Sequence, residues 1–222
     1  QTPQAFRYAA ILSAHRAWPG EPDAGDDAQV ATAAGMAVAL VDGDERLRKL
    51  TFAEDFMEAA RFPRVGTGYD VHRLAEGEEL WLCGVRLEYK RGLAGHSDAD
   101  VALHAVVDAI LGAIGAGDIG QHFPPSDPRW RGAASSRFVE HAVALAGEAG
   151  YAVGNVDVTI VCEAPKIEPH REAMRARLAE LLGTRIDAVN VKGTTSERLG
   201  FTGRGEGIAA QASALLVPLE RT

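Results

Sequence analysis

The sequence predicts an α+β fold in which amphipathic helices cover one face of a single mixed sheet. The candidate strands alternate apolar and polar side chains, which is the pattern of a sheet with one buried face. Helical periodicities lie between these strands rather than in a separate block. The composition is that of an ordinary globular chain, since 46% of the 222 residues are hydrophobic and 24% are charged. Disordered and collagen-like classes are therefore excluded.

Charge and cysteine usage narrow the function classes further. The formal net charge is −8, so we expect no nucleic-acid partner. No apolar run approaches the ~20 residues that span a bilayer, so we expect no membrane partner. Cys83 and Cys162 lie in separate apolar segments, which predicts neither a disulfide nor a cysteine zinc site and indicates a reducing, cytoplasmic setting.

The sequence pattern of residues 1–63 predicts a separate unit, the remnant of an α/β domain. The turn residues Phe62 and Pro63 mark its boundary with a domain over 64–222. The expected elements are, in order, a helix over 5–18, a short helix capped by Asp26 or Asp27, a strand over 36–41 and a helix from Thr51 to Ala60. Because the chain begins at Gln1 without a basic or apolar leader, we interpret it as an interior fragment of a longer chain.

The periodicity of apolar residues in the second domain predicts strands that alternate with helices. They are, in order, a strand over 64–69, a hairpin of 80–83 and 85–89, a helix capped by Ser97 or Asp98 and running to about Gly115, a helix over 135–150, a strand over 153–162, a helix over 168–182, and strands over 186–192 and 207–219. The helix that ends near Gly115 is apolar on so many sides that we expect a second subunit or a similar partner to cover it. Residues 200–207 are too rich in glycine for an ordinary helix.

Asp70, His72 and His104 are the sharpest candidates for a metal site. Residues two apart on a strand share a face, so the carboxylate of Asp70 and the imidazole of His72 can bind one ion. His104 lies on a helix that a short loop can bring against that strand. Two histidines and one aspartate form a three-ligand zinc set with a fourth position open for water or substrate. The alternative is a capping aspartate with two ordinary half-buried histidines.

His96 and Ser97 precede the same helix and, with its unpaired backbone N–H groups, offer an anion site. Simple capping by Ser97 is the alternative. The turn-rich loop over 117–127 is equally consistent with a surface loop and with recognition of ribose hydroxyls.

Residues 192–197, Lys-Gly-Thr-Thr-Ser-Glu, place three hydroxyls before a carboxylate. Such a group can hold phosphate oxygens together with a hard divalent cation. A capping box, with Thr194 at the cap and Glu197 three residues on, is the alternative. Lys166 follows Pro165 in a rigid turn, where a solvated surface lysine is the simpler interpretation.

Five motifs follow one another in the second domain. They are G-x-G-Y-D-V-H at 66–72, G-H-S-D-A-D at 95–100 with His104, G-D-I-G at 117–120, A-P-K at 164–166 and G-F-T-G-R-G-E-G at 200–207. Together they resemble the 2-C-methyl-D-erythritol 2,4-cyclodiphosphate synthase family of the non-mevalonate isoprenoid pathway, over about residues 64–219. The resemblance implies a homotrimer with active sites between subunits. It also implies a lyase reaction, in which 4-diphosphocytidyl-2-C-methyl-D-erythritol 2-phosphate cyclises and releases CMP.

The resemblance further implies roles for individual residues. It assigns zinc to the Asp70, His72 and His104 set, and a second ion, Mg²⁺ or Mn²⁺, to the substrate diphosphate with help from Glu197. It makes His96 and Thr195 the catalytic residues that stabilise the transition state. The residues implied to bind the cytidine diphosphate-type substrate are Ser97, Asp118, Gly120, Phe123, Asp127, Cys162, Pro165, Lys166, Thr194, Phe201 and Arg204.

Residues 1–63 resemble the C-terminal portion of the cytidylyltransferase two steps earlier in that pathway, through Q-T-P-Q-A-F at 1–6 and K-L-T at 49–51. The parent is then a bifunctional enzyme. Because the Gly-rich nucleotide-binding start of that domain is missing from this chain, we expect no transferase activity. Pro125 departs from the synthase pattern, in which an acidic residue follows Phe-Pro.

Two other functions remain as alternatives. The same three metal ligands could activate water in a zinc-dependent phosphohydrolase. A trimeric module that binds nucleotides or isoprenoid diphosphates around a structural zinc is the non-catalytic alternative.

By resemblance, Arg204 and Glu206 face the trimer axis. There we expect either an ion pair between subunits or an isoprenoid diphosphate held by Arg204 in an axial cavity.

Overall fold

The computed structural model describes residues 4–19, 25–44, 49, 51–52, 62–124 and 126–219. Pro125 lies outside these residues, and so does most of the helix expected from Thr51 to Ala60. The chain divides into two units, residues 1–60 and 61–222. Within the described residues, no helix has the length and apolar character needed to cross a membrane.

The described part of the first unit contains two helices, α1 (Tyr8–Ala17) and α2 (Asp27–Ala33). Both were expected. The cap of α2 is Asp26, whose carboxylate accepts a hydrogen bond of 2.8 Å from the backbone N–H of Gln29.

The strand expected over residues 36–41 is wrong. These residues have no regular secondary structure, and the side chains of Leu40 and Val41 are 96% and 88% exposed. A strand forms only where a neighbouring strand pairs with its backbone. Among the described residues of this unit no other strand is present to provide that pairing.

The second unit contains a five-stranded sheet with the order β4-β1-β7-β5-β6. The strands of the unit are β1 (Arg64–Ala75), β2 (Leu80–Leu82), β3 (Val85–Leu87), β4 (Gly92–Ala94), β5 (Tyr151–Val161), β6 (Val189–Thr194) and β7 (Gly207–Pro218). β5 and β6 pair in parallel, whereas β1, β4, β5 and β7 pair antiparallel. The α+β class and the mixed sheet are therefore confirmed. β2 and β3 form the expected hairpin beside the sheet.

The helices of the second unit lie between its strands, as predicted. They are α3 (Val101–Ile114), α4 (Ile119–His122), α5 (Ser136–Glu148), α6 (Arg171–Leu182) and α7 (Gly200–Gly203), with 3₁₀ turns at Pro128–Trp130, Glu168–His170 and Ile186–Ala188. Two expectations need correction. The strand expected from residue 186 begins only at Val189, after a 3₁₀ turn, and residues 200–203 form one helical turn despite their glycines.

Helix α3 lies at the centre of the core, packed against β1 and β7 on one side and against α5 on another. Most of its residues are fully buried within this single chain. The expectation that a second subunit covers α3 is therefore wrong. Gly66 and Gly68 of β1 permit the close approach, because a Cβ at either position would lie 2.0 Å from a backbone oxygen of α3.

The N-cap of α3 is Asp100, not Ser97 or Asp98 as expected. Its buried carboxylate accepts four backbone N–H hydrogen bonds of 2.6–3.1 Å, two from the first turn of α3 and two from the β2–β3 turn. The same carboxylate thus starts the helix and ties the hairpin to it. This contact fixes the beginning of α3 and with it the position of His104, the fourth residue of the helix.

Candidate active site

Asp70, His72 and His104 come together where β1 faces the beginning of α3. Asp70 and His72 lie on the face of β1 that also carries the two close-packed glycines, as the two-residue period requires. His104 Nδ1 lies 3.0 Å from Asp70 Oδ2, and His72 Nδ1 lies 3.1 Å from the same oxygen. One potential ligand atom from each residue falls within 4.8 Å of the others. The proposed three-residue cluster therefore exists in the folded chain.

The contacts of this cluster fit a bound metal ion. His72 Nδ1 is buried and makes no hydrogen bond, although it is near a carboxylate. Nitrogen lone pairs and a carboxylate oxygen repel one another at such short distances. The arrangement is stable when a cation or a proton lies between them. In a tetrahedral zinc site with bonds of 2.0–2.1 Å, ligand atoms are about 3.3 Å apart. This is close to the 3.1 and 3.0 Å that separate Asp70 Oδ2 from the ring nitrogens of His72 and His104.

The electrostatics of Asp70 favour the form that binds metal. Burial acts to raise the pKa of the Asp70 carboxyl, but the contacts with His104 and His72 outweigh it, so the pKa lies below its ordinary value. The carboxylate is consequently ionised at neutral pH, as metal binding requires.

The cluster opens into a pocket of about 230 Å³ with aromatic walls. Phe123 stacks on Phe138 with ring centroids 4.3 Å apart and meets Trp130 edge-on at 4.9 Å. Four of the predicted site residues line this pocket besides the cluster itself, namely His96, Ser97, Gly120 and Phe123. Sequence analysis did not identify Trp130 and Phe138. Nothing in their local pattern marks them, since Phe138 belongs to the apolar stripe of α5 and Trp130 ends a 3₁₀ turn that carries no motif.

A second cleft, of about 570 Å³, collects another group of predicted residues. Its lining includes Cys162, Pro165, Lys166, Thr194 and Thr195, at the ends of the parallel strands β5 and β6. Burial, together with the nearby Glu163 carboxylate, raises the pKa of the Cys162 thiol to about 11, so this thiol is neutral at physiological pH. The cleft shares no lining residue with the metal pocket.

The loop after β6 carries Thr195 and Glu197 close together. The hydroxyl of Thr195 donates a 2.9 Å hydrogen bond to Glu197. Glu197 and Arg198 have φ values of 54° and 64°, in the left-handed region. The alternative of a capping box is wrong, because α7 begins only at Gly200.

Glu163, at the end of β5, is a site residue that sequence analysis missed. One of its carboxylate oxygens accepts hydrogen bonds from the backbone N–H groups of Ser196 and Arg198, each 3.1 Å long. It thereby ties the cleft to the loop that bears Thr195 and Glu197. A glutamate before Ala-Pro was visible in the sequence, but its partners are more than thirty residues away.

The remaining predicted residues lie outside the linings of both cavities. Asp118 caps α4 by accepting a 3.0 Å hydrogen bond from the backbone of Gln121. Asp127 pairs with Arg129 at 2.6 Å, and Arg204 pairs with Glu206 at 2.8 Å. Glu197 and Phe201 also line neither cavity. Within one chain, the predicted site residues are thus divided between two cavities with different linings and positions outside both.

The fold and the site define an α+β protein in which two histidines and one aspartate form a group that could hold a metal ion, preceded by a separate unit. Residues 63–217 match the YgbB family, and residues 1–63 match the 2-C-methyl-D-erythritol 4-phosphate cytidylyltransferase family. The chain belongs to the YgbB family, which accounts for most of its length.

Similar proteins have the same two parts. The bifunctional enzyme IspD/IspF of Erythrobacter litoralis is 70% identical over 217 residues, which are 98% of this chain and 56% of that protein. The structure of the bifunctional IspDF from Campylobacter jejuni is 34% identical and superposes with a TM-score of 0.70, over 96% of this chain and 58% of that one. The chain thus spans little more than half the length of these relatives.

A structure of 2C-methyl-D-erythritol-2,4-cyclodiphosphate synthase in a CDP-bound form matches a smaller part of this chain. It is 39% identical with a TM-score of 0.65, and the match covers 69% of this chain and all of that one.

Proposed function

We propose that this chain is a 2-C-methyl-D-erythritol 2,4-cyclodiphosphate synthase. As such it converts 4-diphosphocytidyl-2-C-methyl-D-erythritol 2-phosphate to the cyclic diphosphate and CMP. The observation that carries the proposal is the cluster of Asp70, His72 and His104 in a pocket with aromatic walls, in a chain of the YgbB family.

The reaction requires no nucleophile from the protein. An oxygen of the substrate's own 2-phosphate attacks the β-phosphorus of its diphosphate, and the bond between that phosphorus and the CMP oxygen breaks. CMP leaves with the electron pair of that bond. What remains for the protein is to position the two phosphate groups and to stabilise the charge that develops between them.

Three groups of predicted residues would share this stabilisation: the metal ligands, Glu197, and the pair of His96 and Thr195. Asp70, His72 and His104 would hold zinc, which supplies Lewis-acid stabilisation of phosphate oxygens. Glu197 would hold Mg²⁺ or Mn²⁺ with the diphosphate. The His96 imidazole and the Thr195 hydroxyl would donate hydrogen bonds to phosphate oxygens in the transition state.

The second cleft would bind the cytidine part of the substrate. Lys166 provides positive charge for the phosphates, and the backbone around Cys162 and Pro165 with Thr194 offers polar groups for cytosine. The CDP in a solved relative supports a nucleotide-binding role. The remaining contacts of the substrate would come from Ser97, Asp118, Gly120, Phe123, Asp127 and Phe201.

A homotrimer with active sites between subunits would reunite the divided site. One substrate has to contact both the metal pocket and the nucleotide cleft, yet the two share no residue within a chain. The sheet face opposite α3 also offers apolar surface for association, since Val65 and Tyr69 of β1 are 68% and 61% exposed. At the trimer axis, Arg204 would bind an isoprenoid diphosphate.

Residues 64–222 would form the synthase domain, and residues 1–63 the C-terminal part of a cytidylyltransferase domain. This division places every residue assigned to the cyclisation in the second domain. The two free thiols, Cys83 and Cys162, are consistent with a reaction in the cytoplasm.

Product analysis tests the proposed function. The purified chain, loaded with Zn²⁺, is incubated with the cytidyl diphosphate substrate and Mg²⁺, and the products are identified by mass spectrometry, with His104→Ala as the negative control. A cyclic diphosphate with an equal amount of CMP is expected. Inorganic phosphate in its place would establish a phosphohydrolase, and unchanged substrate would favour a binding module.

A further inference from the structure

The two ring nitrogens of His104 have different surroundings. Nδ1 faces Asp70 Oδ2 at 3.0 Å, within the metal cluster. Nε2 faces away from it, 2.9 Å from the hydroxyl of Ser135 and 3.2 Å from the hydroxyl of Ser97. Which nitrogen carries the proton decides whether Nδ1 has a lone pair for a metal.

Asp98 determines the direction of the hydrogen bonds around Ser135. The Ser135 hydroxyl donates a short hydrogen bond to Asp98 Oδ1, and the Ser135 backbone N–H donates to Asp98 Oδ2 at 3.0 Å. An ionised carboxylate only accepts hydrogen bonds, so the single hydroxyl proton of Ser135 is committed to Asp98. The Ser135 oxygen can then only accept from His104, so Nε2 carries a proton. Nδ1 also faces an acceptor, the Asp70 carboxylate, and a bound metal ion would take the place of a proton between them.

Ser97 completes the same arrangement. Its oxygen accepts the backbone N–H of Ala99 at 3.1 Å, and its own proton can be donated to the Ser135 oxygen 3.3 Å away. The Ser135 hydroxyl then donates to Asp98 and accepts from both His104 and Ser97, so its one donor and two acceptor positions are all used.

The position of Ser135 supports a dedicated role for its side chain. Ser135 occupies the N-cap of α5, where a serine hydroxyl ordinarily accepts a hydrogen bond from the helix backbone. Here it makes no such bond. Ser135 is completely buried, and its hydroxyl is directed to Asp98 and His104 instead.

We propose that Ser135 and Asp98 are positioning residues, which hold His104 in the Nε2-protonated tautomer and so keep Nδ1 free to bind the metal ion. This inference rests on the metal site of the proposed function. Outer hydrogen bonds of this kind orient metal-binding histidines and typically change metal affinity by about 10- to 100-fold.

Two substitutions test the inference in the full chain. Ser135→Ala removes the nearer of the two hydroxyl oxygens that face Nε2, the one at 2.9 Å. Asp98→Asn is nearly isosteric, but its amide must direct a donor either at the Ser135 hydroxyl or at the Ser135 backbone N–H. In the first orientation Ser135 donates to His104 and the tautomer is reversed. Ser136→Ala is the matched control, since the neighbouring serine has no contact with His104 in the described hydrogen bonds.

The primary measurement is Zn²⁺ affinity by competition with a chelator, with thermal melts to confirm that each variant is folded. We expect about 10- to 100-fold weaker binding for Ser135→Ala and Asp98→Asn, and no change for Ser136→Ala. Unchanged affinity in both folded variants would overturn the inference. The proposed function is judged separately, since weaker Zn²⁺ binding by the variants supports the tautomer control even if the parent chain makes no cyclic diphosphate.

Imidazole ¹⁵N spectra of the zinc-loaded parent chain provide a test that depends on no variant. We expect the signal of a protonated Nε2 and a metal-bound Nδ1 for His104. A protonated Nδ1, with the metal on Nε2, would overturn the inference even if the variants bound Zn²⁺ weakly.

Discussion

Glu163 accepts hydrogen bonds from both the backbone N–H and the hydroxyl of Ser196, at 3.1 and 3.4 Å. The two residues belong to different strand ends, so this contact ties the turn after β5 to the loop after β6. That loop contains two residues with left-handed backbone conformation, which cost free energy unless the surrounding structure holds them. The position of Thr195 and Glu197 therefore depends on a carboxylate that would not itself touch the reacting phosphorus.

Removing this contact should impair turnover. Glu163→Ala leaves the backbone N–H groups of Ser196 and Arg198 without their acceptor, and we expect a lower kcat with a smaller change in KM, because Thr195 acts mainly in the transition state. Glu163→Gln retains one acceptor oxygen and should restore part of the activity. Steady-state kinetics and thermal melts measure both effects, with the exposed Glu140→Ala as control. Equal loss in the Ala and Gln variants would contradict this role.

His104→Ala should abolish metal binding while the fold is retained. The residue is one of three ligands, and the core around α3 consists of apolar side chains that do not depend on it. We expect about one zinc per chain in the parent protein and far less in the variant, measured by elemental analysis. Full zinc occupancy in His104→Ala would remove this residue from the ligand set.

Thr195→Ala should lower kcat by about 10²- to 10³-fold, the usual cost of losing one preorganised donor to a developing oxyanion. Affinity for CMP should change little, as measured by calorimetry. Thr195→Ser keeps the hydroxyl and serves as the control. If only CMP affinity fell in the alanine variant, Thr195 would belong to ground-state binding instead.

Alkylation of Cys162 should be slow at neutral pH and accelerate steeply as the pH approaches about 11. The thiolate is the reactive form, and a raised pKa keeps the thiol protonated over most of the accessible range. Cys83, which is fully buried and whose pKa is also raised by burial, should stay unmodified in the folded protein. Peptide mass analysis after iodoacetamide treatment distinguishes the two sites. Rapid modification of Cys162 at pH 7 would contradict the raised pKa.

An isoprenoid diphosphate should raise the melting temperature of the parent chain if Arg204 binds it, because a ligand specific for the folded state stabilises that state. In the isolated chain, Arg204 is paired with Glu206 at 2.8 Å, and both side chains are more than half exposed. Thermal melts with farnesyl diphosphate should show stabilisation that disappears in Arg204→Ala. The same shift in both proteins would place the ligand elsewhere.

Several features of the site could be predicted from the sequence because they depend on local spacing. Asp70 and His72 share a strand face through the two-residue period. The mixed sheet, its interleaved helices and His104 on the long apolar helix were likewise recognisable from periodicity. These patterns depend on the backbone geometry of one element at a time.

The tertiary structure decided everything that depends on contacts between distant segments. The choice of Asp100 as the cap follows from the hairpin it also binds, and the commitment of Ser135 to His104 follows from the approach of α5 to α3. Residues 36–41 have strand-like composition but no partner strand in the described part of their unit. Periodicity determines which face of an element is apolar, whereas burial, hydrogen-bond partners and strand pairing depend on which other element comes to lie against that face.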